Sequence, residues 1–390
     1  MQAKKLVAFF VLMFLFVPAP SCKPKEEEKP KQGRWIAQYR HPDSTKYDGI
    51  NLLRAFFYND ISVLSPQVVF VAGDKVNPGF DTRIGVIVAT TDGGQNWTER
   101  EIRQEGVELL SLNTLHFINQ NVGWAAGVDS GYSAVLFKTT DGGASWGMTR
   151  PEQKQLPTSI FFADEMTGWM SGATPSLDET SEGTTADLEG AEFTGPSAIL
   201  ATTDGGQTWR AQKQLPVSID EIYFVDRQQG WACGSAGAIY HTADGGLSWF
   251  AQRTDLEPGD GPINLRGDGL REFRVTGIHF ADALNGCAAA NSDSNKSGRL
   301  LMTNDGGKTW QKRWLHDQME MLDAFFLDAN TGWVLTSDGK FVYYTSDGGK
   351  NWQTEPKIFE QDVPLNRIEG AGSQNVWAVG GAAIFYRATE

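Results

Sequence analysis

From about residue 60 to the end of the 390-residue chain, short runs of β-branched and aromatic residues alternate with clusters of Gly, Asp, Asn and Ser. Such runs, bounded by turn formers, predict strands. No segment carries a sustained 3.6-residue apolar stripe with caps, so helix contributes little. In one stretch the strands fall roughly at 276–280, 286–290, 299–303 and 309–313. The pattern is repetitive. TxDGGxxW occurs six times, at 90–97, 139–146, 202–209, 242–249, 303–310 and 345–352. Successive aspartates are 49, 63, 40, 61 and 42 residues apart. A second string, an apolar segment ending near GWxxG, lies around Trp124, Trp169, Trp231, Cys287 and Trp333, with variants at Phe70 (VVFVAG) and Trp377 (VWAVGG). The second string therefore has seven copies against six of the first.

The Asp-Gly-Gly step has a mechanical reading. Glycine reaches positive φ at little cost, which a tight hairpin requires. The carboxylates of Asp92, Asp141, Asp204, Asp244, Asp305 and Asp347 can accept nearby backbone N–H groups, and the Thr hydroxyl can do the same. These aspartates are therefore structural. The Trp is expected to start the last strand of each unit and wedge into the core. Four strands per unit of roughly 40–50 residues predict an all-β fold, a single seven-bladed β-propeller of four-stranded antiparallel blades over residues 33–390. The last unit, 366–389, supplies only three strands. GRWIAQYR at 33–40 resembles NWTERE at 96–101 and has nothing of its own to pair with. It is expected to complete the last blade and close the ring through both chain ends, hiding open edges. This accounts for most of the 13 Trp: seven in the outer-strand position including Trp35, five in the second strand, and Trp314 left over.

Composition and the N-terminus narrow the function. With 34 Lys+Arg against 48 Asp+Glu the net charge is −14, which disfavours nucleic acid as the main partner. Three Cys exclude a disulfide scaffold. Lys4 and Lys5 precede an unbroken apolar run of 12 residues, 6–17, and small residues follow at Ala19 and Ser21. Residues 1–21 thus read as a signal peptide, the run being too short to span a membrane. Ala19-Pro20-Ser21-Cys22 looks like a lipobox with Cys22 as the lipidated residue, although Ala19 stands where Leu is usual. Ordinary cleavage after Ser21 is the alternative. Either way the mature chain, net −16, is expected outside the cytoplasm: a lipoprotein anchored in the periplasm or at the cell surface, or a secreted protein if Cys22 carries no lipid. Residues 22–32 (CKPKEEEKPKQ) have nothing to bury and read as a flexible tether.

TxDGGxxW resembles the Asp-box of bacterial neuraminidase repeats. Its Trp ending, paired with GWxxG, looks most like the photosystem II assembly and stability factor-like propellers, over residues 33–390. That resemblance implies a non-catalytic propeller that binds protein partners and assists assembly of a membrane complex, here an envelope complex of a bacterial lipoprotein. The rival reading is a secreted carbohydrate-active hydrolase of neuraminidase-like type. Neuraminidases resemble one another in an FRIP-type arginine motif, an arginine triad and a Tyr–Glu pair. This chain has EFRVTG at 272–277, which departs after Phe-Arg, so the resemblance supplies no catalytic residue. A convergent, Arg-rich, carboxylate-bearing central pocket would favour the hydrolase; a loop-built surface would favour the binding protein.

Other motifs fail on context. Gly143-Ala144-Ser145-Trp146-Gly147 matches GxSxG but lies inside an Asp-box hairpin, not at a strand-to-helix elbow. Asp293, Asn295, Ser297 and Gly298 begin like a calcium loop, yet Asn304 stands where its bidentate Glu belongs. No His/Cys spacing resembles a metal site, so neither metal nor cofactor is expected. Cys233 and Cys287 are read as two buried thiols. His116 and His279 share one repeat position and are assigned to packing. Extra length falls at 74–83, 173–197, 254–274 and 291–298, all on the face opposite the Asp-boxes. Loops on a rigid scaffold concentrate binding residues. Insertion 173–197 is acidic without Lys or Arg, while 254–274 brings Arg266, Arg271 and Arg274 together. These arginines are the candidate anchor for an acidic partner segment; pairing with Asp268, Glu272 or the acidic loop is the alternative.

Overall fold

The Asp-box turns are held as their composition requires. At 202–209, Thr202 Oγ1 donates to Asp204 Oδ1 (2.8 Å) and accepts Gly206 N–H (3.0 Å). Asp204 Oδ1 also accepts Thr208 N–H (2.9 Å), and Oδ2 accepts the Thr208 hydroxyl. Gly205 and Gly206 sit at φ +74° and +91°, where a side chain would be strained. Gly205 N–H donates to Met166 O (2.9 Å), tying this hairpin to the turn between the first two strands of the same blade. The other five copies repeat the Thr–Asp and Thr–Gly bonds. In each, the Trp lies one residue before the last strand rather than opening it, because the turn's bonding extends to the residue just before the indole.

The computed structural model describes residues 33–41, 56–77, 82–152, 155–173, 197–252, 273–292, 297–313, 319–337, 341–358, 365–372 and 374–389. The expected leader and tether, Cys22, most of the acidic insertion, Arg266, Arg271, Trp314 and the start of the calcium-like loop lie outside them. The described strands form an all-β propeller. Twenty-eight strands pair into consecutive antiparallel groups of four, at 56–102, 109–149, 156–215, 219–251, 273–313, 321–358 and, for the last, 367–389 with Gly33–Arg40. These are taken below as the first to seventh blades. Each first strand packs on the first strand of the next blade, and that of the seventh returns to that of the first. The four insertions connect second to third strands or one blade to the next, opposite the Asp-boxes.

One aromatic motif fills the space between blades. The Phe ending a first strand stacks on a ring from the second strand of the preceding blade: Phe117 on Phe70, Phe162 on Trp124, Phe224 on Trp169 and Phe280 on Trp231, at 3.7, 3.6, 3.7 and 3.5 Å. The Asp-box Trp of its own blade meets the same Phe edge-on, as Trp209 does Phe162 at 82°. The next second strand opens with Gly, because a Cβ at Gly168 would lie 2.5 Å from the Phe162 ring. The aromatic excess is therefore core.

The seventh blade is completed by the N-terminal strand. Gly33–Arg40 pairs antiparallel with Ala383–Thr389, and Trp35 and Ile36 also run parallel to Lys357 and Ile358 of the sixth blade. This strand brings no Asp-box. Glu355, fully buried on the sixth blade, takes over the junction: it accepts Gly33 N–H and Trp35 Nε1–H (both 3.1 Å) and pairs with buried Arg387 through Nε and Nη2. The Arg387 guanidinium lies over Trp333 and Tyr344, 5.2 and 4.9 Å from their ring centres.

Candidate functional site: the axial channel and the insertion face

The first strands enclose an axial cavity of about 360 Å³ lined by residues from every blade. Six of these strands carry a bulge that offsets the pairing just before one particular position. Around the ring that position reads Asp60, Thr114, Ser159, Glu221, Gly277, Asp323 and Arg367. Its chemistry answers to the backbone N–H of the next residue. Asp60 Oδ2 accepts Leu115 N–H (2.9 Å), Thr114 accepts Ile160 N–H (3.3 Å), Ser159 accepts Ile222 N–H (3.3 Å) and Glu221 accepts Ile278 N–H (2.9 Å), each from the following blade. Gly277 and Arg367 offer no acceptor. The blades after them are served by Asp323 Oδ1 and Asp60 Oδ1, which take Ala324 N–H and Ile61 N–H of their own strands (both 2.9 Å). Asp323 Oδ2 accepts Ile368 N–H (2.9 Å). Every N–H of the ring thus has a side-chain acceptor, and aspartate stands where two are needed.

The preceding residue forms a ring of opposite polarity. Asn59, Asn113, Thr158, Thr276 and Asn366 donate to carbonyls of Leu112, Pro157, Ile219, Met321 and Tyr58 in the next blade. Asp220 and Leu322 hold the remaining two places and cannot donate. Asp220 instead receives Arg274 of the fifth blade in two bonds, Nε to Oδ2 at 2.6 Å and Nη2 to Oδ1 at 2.8 Å.

Charge inside the channel is unbalanced. Asp60, Glu221, Asp323 and Glu369 face it with Arg367, whose nitrogens lie 3.9 Å from Asp60 and from Glu221. The side chains of Asp60, Glu221 and Arg367 are about a fifth exposed, yet protein surrounds them. Burial raises Glu221 to about 8 and Asp323 to about 6 against the opposing pull of Arg367, and their mutual repulsion adds to the rise in Glu221. Burial also raises Asp60, and lifts Glu369 well above the usual carboxylate range. At Gly277 an added Cβ would sit 2.7 Å from Asp323 Oδ1 and 3.5 Å from Glu221 Oε2, so both carboxylates use the space this glycine leaves. Further along, His116 Nε2 lies 3.1 Å from Phe162 O, and His279 Nδ1 accepts Phe326 N–H (3.4 Å). Burial lowers them to about 4 and about 3, so both are neutral packing groups.

Of the three candidate arginines, only Arg274 lies among the described residues. It pairs with Asp220; Asp268 and Glu272 lie outside the described residues. Two other arginines of this face are also paired, Arg83 with Asp74 and Arg150 with Asp129. Cys233 and Cys287 are buried and unbridged. Among the described residues no cluster of His, Cys, Asp and Glu could hold a metal ion, and no helix is long and apolar enough to cross a membrane. The sequence had no string that marked the channel. Counting three residues back from the last residue of each first strand, Phe in five of the seven, would have found its acceptor ring.

No family model matches the chain. It is 24% identical over 347 residues to the photosystem II stability/assembly factor HCF136 of Arabidopsis thaliana, covering 75% of this chain and 78% of that protein. It is 27% identical over 152 residues to the photosystem II assembly lipoprotein Ycf48 of a Synechococcus strain, 39% of this chain and 35% of that one. Among solved structures, YCF48 bound to D1 peptide superposes with a TM-score of 0.61 at 16% identity, covering 91% of this chain and 97% of that chain. A glycoside hydrolase, the GH74 enzyme of Niastella koreensis, gives 0.56 at 14% identity, covering 85% of this chain but 52% of the enzyme. By repeat, fold and sequence the chain is a β-propeller similar to the photosystem II stability and assembly factors.

Proposed function

We propose that the protein is a non-enzymatic, extracytoplasmic propeller that binds a segment of a protein partner and assists assembly or stability of an envelope complex, held to the membrane by lipid on Cys22. The observation carrying this reading is its similarity to photosystem II assembly factors, one of which is known with a bound peptide. The insertion face is the proposed contact surface, with Arg266 and Arg271 as the basic residues offered to an acidic segment. Arg274 supports that surface through Asp220. Crosslinking and pull-down from native membranes tests the reading. A partner that is captured by the wild type, and lost on replacing Arg266 and Arg271 with Ser, is the expected result; capture that ignores both substitutions removes the arginines from the proposal.

A hydrolase is the second reading, favoured by the GH74 similarity and by the channel carboxylates. Three features weigh against it. Each of the four carboxylates already accepts at least one backbone N–H. A single arginine accompanies them in the channel. About half of the enzyme has no counterpart here. Turnover of a glycan that is lost in Glu221→Gln would reverse the preference.

A further inference from the structure

The interface between the fifth and sixth blades lacks a part that its neighbours have. Cys287 occupies the second-strand place held by Trp124, Trp169 and Trp231, pairing with His279 as Trp124 pairs with His116. Phe326 keeps its edge contact with the Asp-box Trp352 at 83°, but among the described residues no aromatic ring stacks on its face; it is buried instead in a cluster with Cys287 and the adaptable Met302. The missing indole also leaves an acceptor idle. Trp124, Trp169 and Trp231 donate Nε1–H to the first Asp-box glycine carbonyl of the next blade, at Gly205, Gly245 and Gly306 (2.9, 3.1 and 3.3 Å). A residue three past the preceding Asp-box Trp gives a further bond to such a carbonyl, as Arg100 does to Gly142, Gln212 to Gly245 and Gln252 to Gly306. At the sixth blade this carbonyl belongs to Gly348, and it receives neither bond. The Cys287 thiol turns to Ala324 O (3.7 Å), and Arg313 donates to Gln311 Oε1 (2.9 Å).

A cleft of about 350 Å³ opens at this place; Gly286, Met302, Phe326 and Gly348 lie at its wall, and the larger part of its lining is polar residues of the surrounding turns. A cavity of about 150 Å³ already accepts a benzene ring. Met302, cross-strand from Cys287, lies partly in the vacated space, its sulfur 2.8 Å from where a Cβ on Gly349 would be. Methionine has an unbranched, adaptable side chain and packs well at the edge of an aromatic ring.

We propose that this cleft is a binding site for an indole-class heteroaromatic, whose ring stacks on Phe326 and whose N–H donates to the Gly348 carbonyl while the Met302 thioether moves to the ring edge. The ligand completes the arrangement that the chain supplies for itself at neighbouring interfaces. The shared chemistry has two sources, a free indole or the tryptophan side chain of a partner.

Calorimetric titration of the full chain with indole and with benzothiophene, of the same shape but without the N–H, tests the site. Indole is expected to bind roughly fivefold to tenfold tighter, the worth of one hydrogen bond to an otherwise idle carbonyl. Cys287→Trp should abolish indole binding and raise the melting temperature, while Cys287→Ala should retain binding. If Cys287→Trp does not fold, Phe326→Leu serves in its place and should weaken indole. N-acetyltryptophanamide distinguishes the sources: binding as tight as indole supports a partner's side chain, and exclusion beside bound indole supports a free heterocycle. Equal affinity for indole and benzothiophene, no binding of either, or undiminished indole binding by the filled variant overturns the proposal.

Discussion

Glu355→Leu tests how the ring is closed. The substitution removes the anion that holds Arg387 and the acceptor of both Gly33 N–H and Trp35 Nε1–H. Removing one partner of a buried ion pair costs about 3–5 kcal/mol, because the remaining charge stays desolvated. Arg387 is 3% exposed, so water reaches it poorly, although the rings of Trp333 and Tyr344 offset part of the loss. For a domain of this size each kcal/mol shifts the melting temperature by about 2 °C, giving a fall of roughly 5–10 °C. Thermal melts followed by circular dichroism measure it. The diagnostic comparison is the double variant Glu355→Leu/Arg387→Leu, in which no buried charge is left alone. Its loss should fall short of the two single losses added together by about 2 kcal/mol or more. Strict additivity, or a single variant melting within about 1 °C of wild type, would refute the idea that this pair latches the two chain ends.

The channel carboxylates predict a pH dependence. Glu221, at about 8, and Asp323, at about 6, hold their protons more tightly folded than unfolded. Their contribution to stability is complete below the ordinary carboxylate range and lost as pH rises through those values. Because the buried, neutral His116 and His279 push the other way below about pH 6.5, melting temperature should fall between about pH 6.5 and 8.5, less steeply in Glu221→Gln; an identical slope in that variant would assign the dependence elsewhere. Gly205→Ala should destabilise by at least about 1 kcal/mol in urea titration, since the new Cβ meets Glu165 O at 2.6 Å in a positive-φ conformation. Arg274→Ser should lower stability by about 1–2 kcal/mol by leaving Asp220 without its bidentate partner, whereas Arg266→Ser and Arg271→Ser together should leave the melt unchanged.

What could be read in the sequence follows from how narrowly each job constrains residue type. The Asp-box demands two adjacent residues at positive φ and a carboxylate at fixed spacing, so six copies survive in recognisable form. Ring closure was legible as a shortage, one turn motif too few, and Trp35 marked the strand that makes it good. The channel left no string because a backbone N–H accepts any oxygen: Asp60, Thr114, Ser159 and Glu221 perform one task with four side chains. The Arg274–Asp220 pair was not legible because the two residues lie 54 positions apart and become neighbours only when adjacent blades pack side by side.

The N-terminal strand has a temporal consequence. Residues 33–40 are made before every other strand of the ring, but their antiparallel neighbour, 383–389, is made last. Until then Trp35 has no indole-sized berth, and the sixth blade, once made, presents the unclaimed carboxylate of Glu355. Protection of this early segment during synthesis therefore matters most, and a chain stopped anywhere short of its final residues lacks not one sheet but the fastening of the entire circle.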